Sequence, residues 1–182
     1  LWVSQTPPEA TCPIFLPFLM ASNVHPNAMG CFLGMSNFHA REHLVRSIYE
    51  GVAFSHRYHL EKLLASKTTP TRAIRLAGGA AKSAVWTQLF ADVMNLPVEA
   101  VNVNETGALG CAVICAVACG AYSSLAETAG AMCDMSPPSL PNERNVAIYE
   151  AKYAVYKKAI EALDPFWDDL RALNETLQAK QQ

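Results

Sequence analysis

The chain has 182 residues, of which 51% are hydrophobic and 16% are charged, and its formal net charge is −2. This composition supports a folded core and excludes an intrinsically disordered chain. The small net charge argues against nucleic acid or an anionic membrane as the partner. The most apolar segment, residues 108–118, is too short to span a bilayer.

The length predicts a single domain that covers residues 1–182. The sequence opens with Leu1 rather than Met and has no basic segment typical of a signal peptide, so we expect a fragment of a longer protein. The six cysteines have no spacing typical of a disulfide framework or a zinc site. This cysteine usage favours a reducing cytoplasm.

The first third of the chain predicts short strands followed by a long helix. Prolines punctuate residues 1–38, where apolar runs at 14–16 and 30–35 predict extended segments. Apolar residues at helical spacing then predict a helix over residues 38–65. Gly51 lies inside this helix, at a cost of about 1 kcal/mol relative to Ala. We therefore expect another backbone to pack closely against the helix at that point.

Two histidines near the start of this helix, His39 and His43, share one face. An H-x-x-x-H pair binds zinc in proteases in which Glu follows the first His, but here Ala40 follows it. The sequence offers no obvious third ligand. We interpret the pair as part of a polar helix face and predict no metal site.

The most informative stretch covers residues 74–90. A short apolar run meets Gly78 and Gly79, and apolar residues recur at helical spacing after Ser83. This pattern predicts a strand, a glycine turn and a helix with Ser83 as its N-cap. Glycine lets a ligand approach the backbone, and the first N–H groups of a helix attract negative charge. A nucleotide is therefore a candidate ligand of the turn.

A simpler alternative is that Gly78 and Gly79 only turn the chain between a strand and a helix. The sequence excludes two more specific nucleotide-binding motifs. A Walker A loop needs glycine where Leu76 and Ala81 stand, and residues 77–82 do not supply the G-x-G-x-x-G of a Rossmann fold.

The region after the glycine turn predicts a second strand over residues 98–101 and a third helix over residues 105–118. One face of this third helix consists of Gly, Ala and Cys, so we predict a tightly buried helix. In that environment Cys111, Cys115 and Cys119 would act as small apolar side chains rather than as metal ligands.

The C-terminal region predicts mainly helix. A short helix over residues 124–132 precedes a proline-rich loop over 134–141. A long helix follows, with an apolar stripe that begins at Tyr149. Asp164 and Pro165 predict a restart of the helix, with Asp164 as the cap and Pro165 at the first helical position.

Four stretches, residues 15–35, 39–54, 77–92 and 105–112, carry the most specific sequence patterns in the chain. In their order and spacing they resemble the C-terminal half of the FGGY family of carbohydrate kinases. The segment Asn23-Val24-His25-Pro26-Asn27 is most similar to the xylulose kinase branch, including L-xylulose or 3-keto-gulonate kinases.

The resemblance implies an actin-like ATPase fold of the ribonuclease H type. Such an α/β half domain has a small sheet flanked by long helices, and two halves close around sugar and ATP. This chain would be the nucleotide-side half. Gly78 and Gly79 would lie against the nucleotide, Ala80 would leave room for it, and Ser83 would sit near the adenine or ribose. Lys82 would either reach a phosphate or extend into solvent.

The implied reaction transfers the γ-phosphate of ATP, with Mg²⁺, to a hydroxyl of a pentulose-type sugar such as xylulose. The family's proton-accepting Asp and first phosphate loop have no counterpart in this sequence, so we assign no catalytic residue and expect the chain alone to be inactive. Most sugar contacts would come from the other half. An uncovered apolar face between the halves predicts a homodimer of the isolated chain.

The residues alone are also compatible with two other classes of function. The chain could be a non-catalytic actin-like module that binds a nucleotide. It could also be a helical interaction domain in which the glycine turn has no ligand.

Overall fold

The computed structural model describes residues 2–20, 22 and 24–180, which group into two units. The first unit comprises residues 1–66 and 144–182, and the second comprises residues 67–143. The architecture is mixed α/β, and each unit contains a two-stranded sheet. None of the helices in the described ranges is long and apolar enough to cross a membrane.

Apart from the short first helix and the 3₁₀ turn, which the sequence did not predict, the helices and strands follow the predicted order. They are α1 (Trp2–Gln5), β1 (Ile14–Leu16), β2 (Cys31–Leu33), α2 (Arg41–Ala65), β3 (Ile74–Leu76), a 3₁₀ turn (Gly79–Lys82), α3 (Ala84–Met94), β4 (Val98–Ala100), α4 (Thr106–Ala118), α5 (Leu125–Met132), α6 (Glu143–Leu163) and α7 (Phe166–Ala179).

In the first unit, α2 packs directly on the backbone of β1. Strands β1 and β2 pair antiparallel, with Phe15 opposite Phe32. A Cβ atom at Gly51 of α2 would collide with the carbonyl oxygen of Phe15. The prediction that a backbone approaches the helix at Gly51 is therefore confirmed, and the approaching backbone is that of β1.

Aromatic side chains join α2 to α6. The ring of Phe54 lies 6.2 Å from that of Tyr149, 5.8 Å from that of Tyr153 and 5.4 Å from that of Tyr156, measured between centroids. All four side chains are buried. The tyrosine stripe predicted from the sequence is thus the core of this unit.

Two of these tyrosines make the stability of the unit sensitive to alkali. Burial raises the pKa of Tyr153, and the hydrogen bond that its hydroxyl donates to Glu61 at 2.9 Å raises it further. Burial also raises the pKa of Tyr156. The folded-state pKa values exceed the ordinary value of 10.0. The stability that the two protonated phenols contribute is therefore complete below pH 10 and is lost as the pH rises above it.

We therefore expect the urea midpoint of unfolding to fall as the pH is raised from neutral to about 11. Circular dichroism at a series of pH values measures this midpoint. A variant with both Tyr153→Phe and Tyr156→Phe should lose less stability over the same pH interval. An identical pH dependence in the variant would contradict the assignment to these two phenols.

A buried ion cluster also joins α2 to α6. Arg46 donates from Nε to Glu50 Oε1 at 2.8 Å, and Lys152 Nζ donates to both carboxylate oxygens of Glu50 at 3.0 and 2.9 Å. Arg46 also donates to the hydroxyl of Tyr149 and to two backbone carbonyl oxygens near the N-terminus. Burial lowers the pKa of Arg46, but Tyr149 and Glu50 outweigh it and hold this pKa above its ordinary value.

Helix α7 starts differently from the sequence prediction. Pro165, rather than Asp164, occupies its N-cap position, and no side chain caps the helix there. The backbone N–H of Asp164 donates to the carbonyl oxygen of Glu161, so Asp164 belongs to the turn that ends α6. The predicted Asp164 cap is therefore wrong.

In the second unit, strands β3 and β4 pair in parallel, with Leu76 opposite Ala100. The segment 134–139, predicted as a loop, adds antiparallel bridges from Met135 to Val101 and from Ser139 to Val98. Helix α3 ends at Asn95, whose φ of 51° lies in the left-handed region that ends helices. The predicted end of this helix is thus confirmed.

Helix α4 contradicts the prediction of a tightly buried helix. None of its residues is buried in the described part of the chain, and Cys111, Cys115 and Cys119 are exposed free thiols. Its open side also includes Ile114, which is 61% exposed. The helix has no charged residue. Its composition is that of an internal helix, but none of the elements described above covers this face.

Candidate functional site

The turn between β3 and α3 requires glycine at its first position. Gly78 has a φ of 83°, a backbone conformation that residues other than glycine rarely adopt. The 3₁₀ turn follows at once, and the N–H of Ala81 donates to the carbonyl oxygen of Gly78 at 3.2 Å. The chain therefore bends sharply after β3 and makes a tight turn before α3 begins.

The space above this turn is open. A Cβ atom at either Gly78 or Gly79 would meet no other atom within 4 Å. Gly79 is exposed, and Gly78 and Ala80 are half-buried. No neighbouring side chain in the described ranges seals the two glycines, so a ligand can reach the backbone at this point.

Ser83 stands at the N-cap position of α3, but its hydroxyl does not cap the helix. The N–H of Ser83 donates to the carbonyl oxygen of Ala80, and its carbonyl oxygen accepts from the N–H of Thr87 at 3.0 Å. The predicted side-chain cap is therefore wrong, although Ser83 has the extended backbone that is usual at an N-cap position.

The turn lies at the edge of the sheet where ligands bind in open α/β folds. Because β3 and β4 are parallel, the glycine turn and the segment 101–104 leave from the same edge, at the carboxyl ends of the strands. A cavity of about 100 Å³ is lined by the end of the 3₁₀ turn, this segment and Ser136. Lys82 lines this cavity and is exposed.

The wall of this cavity formed by residues 100–104 is held by polar contacts that the sequence did not predict. Ser136 Oγ accepts from the N–H of Ala100 at 3.1 Å. Asn102 donates from its backbone to the carbonyl oxygen of Asp134 at 2.9 Å and from Nδ2 to the Asp134 carboxylate at 3.0 Å. A proline-rich segment gives no periodic signal, so its role as a sheet neighbour could not be read from the sequence.

The paired histidines, His39 and His43, accept hydrogen bonds from nearby backbone N–H groups. His39 Nδ1 accepts from the N–H of Ser36 at 2.9 Å, and His43 Nδ1 accepts from the N–H of Ala40 at 3.1 Å. The second contact satisfies a donor at the start of α2, as a capping side chain does. Among the described residues, no group of three or more His, Cys, Asp or Glu side chains is arranged to hold a metal ion.

A larger cavity, of about 320 Å³, lies in the first unit beside β1, α2 and α6. Its charged lining includes Glu50 and Lys152, which are paired with each other in the buried cluster. Its thiol, Cys12, has a pKa that burial raises, so the thiol is a weak nucleophile at neutral pH. This cavity is larger than the one beside the glycine turn, but the chemistry of its lining makes it the weaker candidate for the site.

A family model described as the FGGY family of carbohydrate kinases, C-terminal domain, matches residues 3–119. The chain belongs to the FGGY family. The resemblance predicted from the sequence is thus confirmed. Among curated FGGY relatives, the L-xylulose/3-keto-L-gulonate kinase of Escherichia coli (strain K12) is 39% identical over 155 residues, which cover 84% of this chain and 30% of the relative. A probable L-xylulose kinase of Pasteurella multocida (strain Pm70) is 34% identical over 88% of this chain and 32% of the relative.

Solved FGGY structures share the fold. The xylulose kinase from Rhodospirillum rubrum has a TM-score of 0.80 and 27% identity over 92% of this chain and 34% of that one. A ligand-bound xylulose kinase from Lactobacillus acidophilus has a TM-score of 0.82 at 24% identity, over 93% of this chain and 35% of that one. The predicted actin-like α/β fold is therefore confirmed.

The chain spans about a third of the length of these FGGY relatives and structures. Within the segment that resembles the xylulose kinase branch, Asn23 lies outside the described residues. His25 and Asn27 are described: Asn27 donates from Nδ2 to Asp168 at 2.7 Å, and His25 lies 3.7 Å from the same carboxylate. In this chain both residues contact α7.

Proposed function

We propose that this chain is the C-terminal, ATP-binding half of a sugar kinase that transfers the γ-phosphate of ATP to a hydroxyl of a pentulose-type sugar such as xylulose. The observation that carries the proposal is the 39% identity, over 84% of the chain, to a protein named L-xylulose/3-keto-L-gulonate kinase. A similar level of identity links the chain to a probable L-xylulose kinase.

The proposed nucleotide contacts are Gly78, Gly79, Ala80 and Ser83. Open space at both glycines and the position of the turn at the carboxyl edge of β3 and β4 support this assignment. The N–H groups of Gly79 and Ala80 open a 3₁₀ turn, and the first donors of such a turn have no partner within it. A nucleotide against this turn would use backbone donors and would need little side-chain contact.

The chain's own share of the chemistry would be to bind and orient the nucleotide. When bound with ATP, Mg²⁺ neutralises phosphate charge during transfer. Mg²⁺ commonly keeps several waters and is held partly by the phosphates themselves, which is compatible with the lack of a ligand cluster among the described residues. We assign no residue here to accept the sugar proton, and we expect no turnover from this chain alone.

A chimeric enzyme tests the proposed function. The segment of the E. coli L-xylulose/3-keto-L-gulonate kinase that aligns with this chain is replaced by this chain, and ADP release is measured with L-xylulose and ATP. We expect sugar-dependent ADP release above that of the E. coli enzyme truncated before the replaced segment. A folded chimera with no sugar-dependent release would reject the proposal.

A substitution at Gly79 tests the nucleotide contacts. Gly79 does not have a positive φ, and a Cβ there meets nothing within 4 Å, so Gly79→Ala should leave the fold unchanged. We expect it to weaken ATP binding about tenfold, or about 1.4 kcal/mol, because the added methyl occupies the surface that the nucleotide would use. Calorimetric titration with ATP measures the change.

The matched control is Gly130→Ala in α5, where an added Cβ also meets open space. This variant should bind ATP as the unmodified chain does. Equal ATP affinity in the Gly79 variant and the unmodified chain would remove Gly79 from the site.

We also propose that the protein acts in the cytoplasm and that the isolated chain forms a homodimer. All six cysteines are free thiols, which suits a reducing compartment. The uncharged, exposed face of α4 supports self-association.

A further inference from the structure

We infer that Asp92 and Gln88 of α3 are positioning residues for the nucleotide site, acting through the segment 134–142 that forms part of its wall. The inference rests on the proposed function for the identity of the ligand. The contacts that carry it all lie within the second unit.

Asp92 and Gln88 form a polar clamp at the middle of α3. Asp92 is buried, with 3% of its surface exposed, and its Oδ1 accepts from Gln88 Nε2 and from the backbone N–H of Asn142, both at 2.8 Å. Gln88 Nε2 also donates to the carbonyl oxygen of Leu140 at 2.9 Å. Two side chains one helical turn apart therefore grip the backbone of residues 140–142.

The clamped segment is hydrogen-bonded to the sheet. Ser139 exchanges backbone hydrogen bonds with Val98, at 2.8 and 3.0 Å. Further along, Ser136 exchanges contacts with Ala100: its N–H donates to the carbonyl oxygen of Ala100 at 2.9 Å, and its Oγ accepts from the N–H of Ala100 at 3.1 Å. The segment thus runs beside β4 from the clamp to the carboxyl end of the strand.

The same segment also contacts the residues that line the cavity. Asp134 receives both the backbone N–H and the side-chain amide of Asn102, and Asn102 lines the cavity together with Lys82 and Ser136. Helix α3 follows the 3₁₀ turn, whose end lines one side of the cavity, and its middle holds the segment that contributes Ser136 to the lining. A single helix therefore fixes both sides of the cavity.

A simple packing role does not account for this arrangement. An apolar residue at position 92 would fill the space without the desolvation cost of a buried carboxylate. The carboxylate instead accepts from two donors at defined points, which fixes the register of the segment against β4. Such geometric support is what a binding site needs from the residues behind it.

The test compares Asp92→Ala with Asp92→Asn. Asparagine keeps Oδ1 as an acceptor for both donors, whereas alanine removes it. For Asp92→Ala we expect faster amide hydrogen exchange in residues 100–104 and 134–142, and ATP binding weaker by roughly tenfold, the lower end of the loss seen when partners behind metal ligands are removed. The Asp92→Asn variant should stay close to the unmodified chain in both measurements.

Unchanged exchange in the Asp92→Ala variant, or unchanged ATP affinity despite faster exchange, would overturn the inference. So would an Asp92→Asn variant that loses as much as Asp92→Ala, because the accepting oxygen would then not be the cause. If Asp92→Ala fails to fold, Gln88→Ala takes its place: it removes the donor to the carbonyl oxygen of Leu140 and should speed exchange in residues 134–142, and unchanged exchange would overturn the inference.

The two measurements distinguish a failure of the nucleotide assignment from a failure of the clamp formed by Asp92 and Gln88. If the unmodified chain shows no ATP binding by calorimetry, the nucleotide assignment fails, whereas the exchange measurement still decides whether Asp92 and Gln88 hold the wall. If ATP binds and the exchange of the wall does not respond to Asp92→Ala, the clamp fails and the nucleotide assignment stands.

Discussion

Replacing Gly51 by alanine is expected to destabilise the first unit by about 3 kcal/mol, at the upper end of the usual cost of overpacking. The added Cβ would collide with the carbonyl oxygen of Phe15, and this atom belongs to β1, which cannot move without disturbing its pairing with β2. Alanine is favoured over glycine in a helix by about 1 kcal/mol, but this gain is too small to offset a backbone collision. Urea unfolding followed by circular dichroism measures the loss.

The matched control is Gly110→Ala in α4, because it is also a glycine inside a helix. A Cβ at Gly110 meets no atom within 4 Å, so the helix preference of alanine should act alone. We expect this variant to be more stable by up to about 1 kcal/mol. A Gly51→Ala variant as stable as the unmodified chain would show that α2 does not lie on β1 as described.

Replacing Glu50 by glutamine is expected to cost about 3–5 kcal/mol, the usual penalty for breaking a buried ion pair from one side. The side chain of Glu50 is 5% exposed and neutralises Arg46 and Lys152. Glutamine has the same shape but no charge, so it leaves two cations close together in a buried site. The urea midpoint should fall strongly.

The control for Glu50 is Glu175→Gln. Glu175 also pairs with an arginine one helical turn away, Arg171, but its side chain is 62% exposed. Exposed pairs of this kind contribute about 0.3–0.5 kcal/mol, so the control variant should unfold close to the unmodified chain. If both variants lose the same small amount, the cluster around Glu50 is not the buried structure described here.

The sequence predicted those features that depend on local pattern. Helix α2, the tyrosine stripe of α6 and the strands on either side of α3 follow from periodicity and from the positions of glycine and proline. The close approach at Gly51 followed from the cost of a glycine inside a helix. The location of the candidate site followed from Gly78 and Gly79, and their contact with a nucleotide stays a prediction.

What the sequence could not predict depends on contacts between distant segments. The composition of α4 indicates a face suited to burial, but composition does not say which element covers it. The role of Ser136 and Asp134 could not be read from a proline-rich stretch without periodicity. Ser83 does occupy the predicted N-cap position, but its hydroxyl does not cap α3, and the 3₁₀ turn before it has no separate sequence signal.

The uncovered thiols of α4 have a consequence for anyone who handles the isolated chain. Cys111, Cys115 and Cys119 lie on the same open side of a helix that bears no charge to keep two molecules apart. When two such helices meet, their sulfurs come within reach of each other, and dissolved oxygen can convert a reversible encounter into covalent oligomers. Purified with fresh reductant, the chain should therefore migrate as one species, and without reductant it should migrate as a ladder of cross-linked oligomers.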